Sequence, residues 1–241
     1  MAKGFTVKAK APTAEKKEPE WDYAKAREMV KGKTVVFCLP GRNVSYTFLK
    51  NFVQLCFDLV QSGASIQISQ DYSSMVNFAR CKCLGANVLR GPDQKPWDGK
   101  LNYDYQLWID SDIVFNTDKF YQLVLMDKDI ASGWYMTEDG NTTSVAHWME
   151  EDDFRNNGGV MNHENGESIS KRRKPFTVDY AGFGWLLIKN ESLSTKVCLI
   201  LGLHLRCKSL NLVKYKICVE KMYHSVLTQR KQDLRFGVIL A

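Results

Sequence analysis

A chain of 241 residues, 44% hydrophobic and 25% charged, is long enough for one large domain with a substantial core and too ordinary in composition for global disorder. The formal charge of +6 is unevenly placed: residues 192–241 hold nine Lys/Arg and two Asp/Glu, which leaves 24 and 25 of the totals of 33 and 27 for the rest. A basic excess confined to the last fifth argues against a nucleic-acid partner for the body of the protein. No run approaches the roughly 20 apolar residues that cross a bilayer, so no transmembrane segment is expected. Seven cysteines are odd in number, and Cys81 and Cys83 stand too close for a typical zinc pair. Reduced thiols in a cytoplasmic protein are the expectation.

Residues 1–20 are lysine-rich and lack the apolar centre of a secretory signal, so a flexible basic tail is expected there. Residues 34–39 are β-branched and apolar, as in a central strand, and stop at Pro40, Gly41 and Arg42, a loop signal. Residues 45–62 carry Leu49, Phe52, Val53, Cys56, Leu59 and Val60 at helical spacing, and Gly63 supplies the stop. A strand over 64–69 and a helix over 73–84 follow, the helix with Met75, Phe78 and Ala79 inward. A short strand is expected at 87–89, and residues 92–100 are polar and turn-rich.

The apolar run from Tyr105 to Ile109 reads as a buried strand, and a helix is expected over 118–126. Strands at 130–136 and 178–188 flank residues 140–174, which read as a mobile surface insertion. The alternation predicts an α/β domain over 21–191: a Rossmann-like, open and mostly parallel sheet flanked by helices, with ligands outside the carboxyl ends of the strands.

This strand, the third or fourth of the pattern, ends in Asp110 and Asp112, which buried strands seldom do without cause. Two residues apart on an extended backbone, they point the same way and reach one cation if a turn follows. Hard oxygen ligands of this kind suit Mg²⁺ or Mn²⁺, which keep open positions for substrate phosphates. The bland alternative is a solvated strand end or a cap on the next helix.

With the segment Leu107-Trp108-Ile109-Asp110-Ser111-Asp112 so placed, and Asp179 to Gly184 downstream before an apolar strand, the chain over residues 33–189 resembles a glycosyltransferase of the GT-A fold. The resemblance implies that Asp110 and Asp112 hold Mn²⁺ or Mg²⁺ on the diphosphate of a nucleotide-sugar donor, with Ser111 between them in the donor site. It implies that Pro40, Gly41 and Arg42 line base and ribose, although Arg42 reads equally as a solvated charge. Asp71 would be the acidic contact to base or ribose, or else the start of an Asx-turn. Arg80 would reach a phosphate, or else pair with a carboxylate. Asp179, Gly182 and Gly184 would form a floor under donor and acceptor, the glycines clearing room for a sugar ring; a strand bulge is the alternative. The acceptor, whether glycan, lipid or protein, is not implied. Trp134, Tyr135 and Trp148 suit a sugar face or a core, and His147 and His163 read as surface residues rather than metal ligands.

Past Asn190 the pattern breaks, because neither the family's late acidic base nor a late metal ligand follows. Back-translating residues 200–240 and moving the frame by one base admits a peptide containing Gly-Glu-Asp, the missing base, so a shifted reading frame is one expectation for residues 192–241. A basic amphipathic end for an anionic surface is the other. If the frame is shifted, this chain is a weakly active or inactive form of the transferase. Two further classes stay open: a nucleotidyltransferase, which also uses paired carboxylates but would need a phosphate loop not present here, and a non-catalytic binding protein with a basic tail.

Overall fold

The structure is a computed structural model and describes residues 21–87, 90, 94–137, 140, 142–172, 174–190 and 217–220. The first helix, α1 (Tyr23–Val30), opens on Asp22, whose carboxylate accepts from the Lys25 N–H. Alternation then follows through β1 (Thr34–Pro40), α2 (Tyr46–Gln61), β2 (Ser65–Asp71) and α3 (Val76–Cys83). After a single 3₁₀ turn at Pro96–Gly99 come β3 (Tyr105–Ile109), α4 (Thr117–Leu125) and β4 (Ile130–Gly133). Polar side chains start α2 and α4 in the same way: Ser45 Oγ accepts from the Phe48 N–H, and Asn116 Oδ1 from the Lys119 N–H. Each satisfies a backbone donor that the first helical turn leaves open.

The expected surface insertion is built rather than loose. It carries β5 (Val145–His147), α5 (Glu151–Asn156), β6 (Asn162–His163) and α6 (Gly166–Lys171). The single strand expected over 178–188 is three pieces: β7 (Phe176–Val178), β8 (Tyr180–Ala181) and β9 (Trp185–Lys189). The chain turns between β8 and β9 at Gly182, Phe183 and Gly184, and a Cβ on either glycine would collide with the Tyr135 hydroxyl. Of residues 192–241 only β10 (Ile217–Glu220) is described, and the questions of frame and of an amphipathic end lie outside the described residues. The same holds for the basic tail at 1–20 and for most of the strand expected at 87–89.

The chain is α/β, with helices flanking a mixed seven-stranded sheet of order β2-β1-β3-β9-β4-β10-β7. β1 runs parallel to β2 and β3, and β10 parallel to β4. The strand β9 enters antiparallel between β3 and β4, and β7 closes the row antiparallel to β10. A second sheet has the order β6-β5-β8.

Side chains of β1 alternate between two cores, as the two-residue period of a strand requires. Val35 and Phe37 meet Ala26 and Val30 of α1, Leu55 and Leu59 of α2, and Phe120 and Val124 of α4. Val36 and Cys38 face the other way, toward Cys83, Leu84 and Trp108. The central strands are therefore buried on both faces and read as continuous apolar runs. The inward face of α2 is turned from the expected one: Phe48, Leu55 and Leu59 are buried, whereas Leu49, Val53 and Val60 are exposed. On α3 the buried side chains are Ala79, Cys81 and Cys83, and Met75 precedes the helix, exposed.

Candidate functional site

The register of the sheet places the candidate residues before any side chain is considered. β1 pairs with β3 as Phe37 to Leu107 and Cys38 to Trp108. Continued past the strand ends, this offset sets Pro40 level with Asp110 and Gly41 level with Ser111. A Cβ built on Gly41 would lie 2.9 Å from Ser111 Cβ and 3.0 Å from its Oγ. Gly41 is thus required by close approach of the two loops. The two expected strand-end loops thus lie against each other, and the Gly41 N–H donates to the Asp71 carbonyl at 3.0 Å, tying in the end of β2.

Within the crevice Asp110 is the most constrained carboxylate. Its backbone N–H donates to the Gly184 carbonyl at 3.1 Å, which fastens the end of β3 to the turn before β9. Its side chain, 24% exposed, receives Arg80 Nη2 at 3.1 and 3.4 Å on its two oxygens. Arg80 lies with its guanidinium carbon 4.7 Å from the Phe183 ring centre, and its Nε is buried with no hydrogen-bond partner among the described residues. Burial pushes the Asp110 carboxyl above its usual range, Arg80 opposes that, and the neighbouring charge of Asp112 adds to it. Asp112 itself is exposed.

The remaining expected residues divide between this crevice and other roles. Arg42 is exposed and stacks on Tyr72, 4.6 Å from its ring centre, at the rim. Asp71 accepts from the Tyr72 N–H at 2.7 Å and pairs with Lys82 at 3.4 Å, so its carboxylate holds the local turn. Gly182 and Gly184 make room for the Tyr135 hydroxyl: a Cβ on Gly184 would stand 2.7 Å from Tyr135 Oη and 2.9 Å from Ile113 Cδ1. That hydroxyl accepts from the Gly184 N–H at 3.0 Å, and burial, then the charge of Asp110, pushes its pKa up. The space beside the two glycines therefore holds Tyr135, not a vacancy shaped for a sugar ring. Phe183 and Tyr135 position Arg80 and Gly184, roles that the sequence did not announce although Tyr135 and the segment holding Phe183 were singled out.

Asp179 lies in the bend between β7 and β8, its N–H donating to the Ala146 carbonyl of β5 at 3.2 Å. Its Oδ2 accepts from the Trp148 N–H at 3.0 Å and lies 3.7 Å from His147 Nδ1. The other ring nitrogen of His147 is 2.8 Å from Glu164, and Arg172 reaches the same Glu164 oxygen at 2.7 Å. His163 Nδ1–H donates to the Thr143 carbonyl. Both histidines are thus engaged within the small sheet. Trp134 is buried in core, while Trp148 is 67% exposed.

Among the described residues no group of three or more His, Cys, Asp and Glu is arranged to hold a metal ion. Asp110 and Asp112 supply hard oxygen donors, a donor type that suits a divalent cation finished by phosphate and water, although both Asp110 oxygens here receive Arg80. The raised Asp110 carboxyl fits such a cation, since a buried carboxylate lacking full compensation gains from added positive charge. Cys56, Cys81 and Cys83 are free thiols, and burial lifts those of Cys56 and Cys83 to about 11. No described helix is long and apolar enough to cross a membrane.

No family model matches the chain, and no curated protein matches it. Among solved structures the chain is similar to the crystal structure of A197 from STIV, at 17% identity over 78% of this chain and 81% of that one, with a TM-score of 0.38.

Proposed function

We propose that this chain is a metal-dependent glycosyltransferase with a Rossmann-like fold of GT-A type, which moves a sugar from a nucleotide-diphosphate donor to an acceptor hydroxyl. The observation that carries the reading is the meeting of two strand-end loops, with Gly41 packed on Ser111 between Asp110 and Asp112. Such a crevice outside the carboxyl ends of adjacent parallel strands is where open α/β sheets bind nucleotides.

In this reading Asp110 and Asp112 hold Mn²⁺ or Mg²⁺, and Arg80, already beside Asp110, offers its guanidinium to the diphosphate. The metal would supply Lewis-acid stabilisation of charge on the departing diphosphate. Gly41 lets the backbone approach the nucleotide, and the Arg42–Tyr72 stack gives a planar surface at the rim for the base. Tyr135 and Gly184 keep the end of β3 in place. The base that deprotonates the acceptor is unassigned among the described residues. In the shifted reading of residues 200–240 it is the Glu-Asp pair, which sequencing the coding DNA across codons 185–241 tests.

The binding step has a direct test. Mn²⁺ with uridine or guanosine diphosphate is expected to raise the melting temperature of the full chain, by about 2.7 kcal/mol of added stability at a hundredfold excess over Kd. The double variant Asp110→Ala, Asp112→Ala is expected to lose that shift. Absence of any metal-dependent shift in the unmodified chain would overturn the reading.

A further inference from the structure

The small sheet carries a second concavity, away from the aspartate pair. Its volume is about 730 Å³, and it is lined by Trp148, Met149, Glu150, Asp153, Asn157 and Asn162 among others. We infer that this groove is a saccharide-binding subsite, and that it takes a neutral oligosaccharide which serves as acceptor. The acceptor role rests on the glycosyltransferase reading; the saccharide binding does not.

Three observations combine. Trp148 is 67% exposed, yet its backbone is fixed: its N–H donates to Asp179 at 3.0 Å directly after β5. An indole held open on an anchored backbone offers a flat apolar face with little ordering left to do, which suits the C–H face of a sugar ring. Around it stand short amides and carboxylates, the groups that bond vicinal hydroxyls at fixed spacing. Asn157 is set by its own bond to the Val160 carbonyl at 2.8 Å, whereas Glu150, Asp153 and Asn162 have side chains without a partner among the described residues. The lining, finally, contains carboxylates and no lysine or arginine. Such a rim repels phosphate, sulfate and carboxylated sugars and accepts neutral ones.

The path to the aspartate pair sets the size of the ligand. Val145 and Ala146 of β5 pair with Ala181 and Tyr180 of β8. The Gly182 N–H then donates to the Ser144 carbonyl at 2.7 Å, and the Gly184 carbonyl accepts from Asp110 at 3.1 Å. From Ser144 to Trp148 and from Gly182 to Gly184 the backbone runs six residues, at most about 3.3 Å each when fully extended. An acceptor that engages both the aspartate loop and Trp148 is on this path a chain of rings rather than one. The ligand is a chain of several residues, one end at the crevice and a distal ring on Trp148.

The test is calorimetric titration of the full chain, without metal or nucleotide, with four neutral hexasaccharides built from glucose (α-linked and β-linked), mannose and N-acetylglucosamine, and with a heparin hexasaccharide. Saturable binding of a neutral member is expected, weakened about tenfold or more in Trp148→Ala and largely kept in Trp148→Phe. Binding of no neutral member, binding unaffected by Trp148→Ala, or preference for the heparin fragment would each overturn the inference. If saccharide binding survives while the Mn²⁺–nucleotide shift is absent, the subsite stands and the transferase reading fails.

Discussion

Asp110 is held at a cost in stability. Its folded pKa lies above the unfolded value, chiefly because burial disfavours the charge and Asp112 stands close. The protonated form is thus the better tolerated one in the fold, and stability falls as pH rises through the interval from the unfolded to the folded pKa. Asp110→Asn is therefore expected to melt higher than the parent at pH 7, with the gain vanishing at pH values below the ordinary aspartate range, while the metal-dependent shift is lost. A variant that melts lower at every pH would show instead that the pairing with Arg80 at 3.1 Å outweighs the burial. At this scale the sequence was informative about chemistry and silent about neighbours. The spacing of Asp110 and Asp112 at a strand end was legible, whereas the packing of Gly41 on Ser111 was not. That the atoms filling the space at Gly182 and Gly184 belong to Tyr135 was not, because a glycine shows where a side chain is absent and not what comes near.

Helices and strands separate along the same line. β1, α2, β2, α3, β3, α4 and β4 were all legible as elements, since apolar period and stop signals are local. The face of α2 was not. Tyr46, Leu49, Val53, Phe57 and Val60 form a second apolar stripe, all exposed, beside the buried one of Phe48, Leu55 and Leu59. Two stripes at one period leave the inward choice to tertiary packing. The insertion was misread because its apolar anchors are few; polar bonds hold it instead. Glu164, whose side chain is 11% exposed, joins His147 of β5 to Arg172 at the end of α6. Burial raises its pKa, but the bonds to His147 and Arg172 prevail and hold it below the usual value. Stability from a depressed carboxyl is present above the unfolded pKa and lost as pH falls through the folded one. Glu164→Gln is expected to cost about 1–3 kcal/mol at pH 7 and to approach the parent in acid, as chemical denaturation at several pH values would reveal. An equal cost at all pH values would mean that shape rather than charge matters there.

For the whole molecule, the alternation of strands and helices announced an α/β sheet, but not the order of its strands. β9 enters antiparallel between β3 and β4, and β10 between β4 and β7, from positions distant along the chain. Pairings of that kind leave no local mark. The second of them bears on residues 192–241, whose nine basic residues against two acidic set them apart from the rest. β10 gives parallel hydrogen bonds to β4 and antiparallel ones to β7. Ending the chain at Asn190 would strip β4 of its outer neighbour and β7 of its place in the sheet, and unpaired edges of this sort invite association between molecules. The shortened chain is expected to melt at least about 2–4 °C lower, the displacement a loss of 1 kcal/mol produces at this size. It is also expected to scatter light increasingly with concentration. An unchanged melting temperature would make the final fifth dispensable to the fold, which is what a segment translated from a shifted frame would be, and the search for activity would then move to the chain translated from the restored frame.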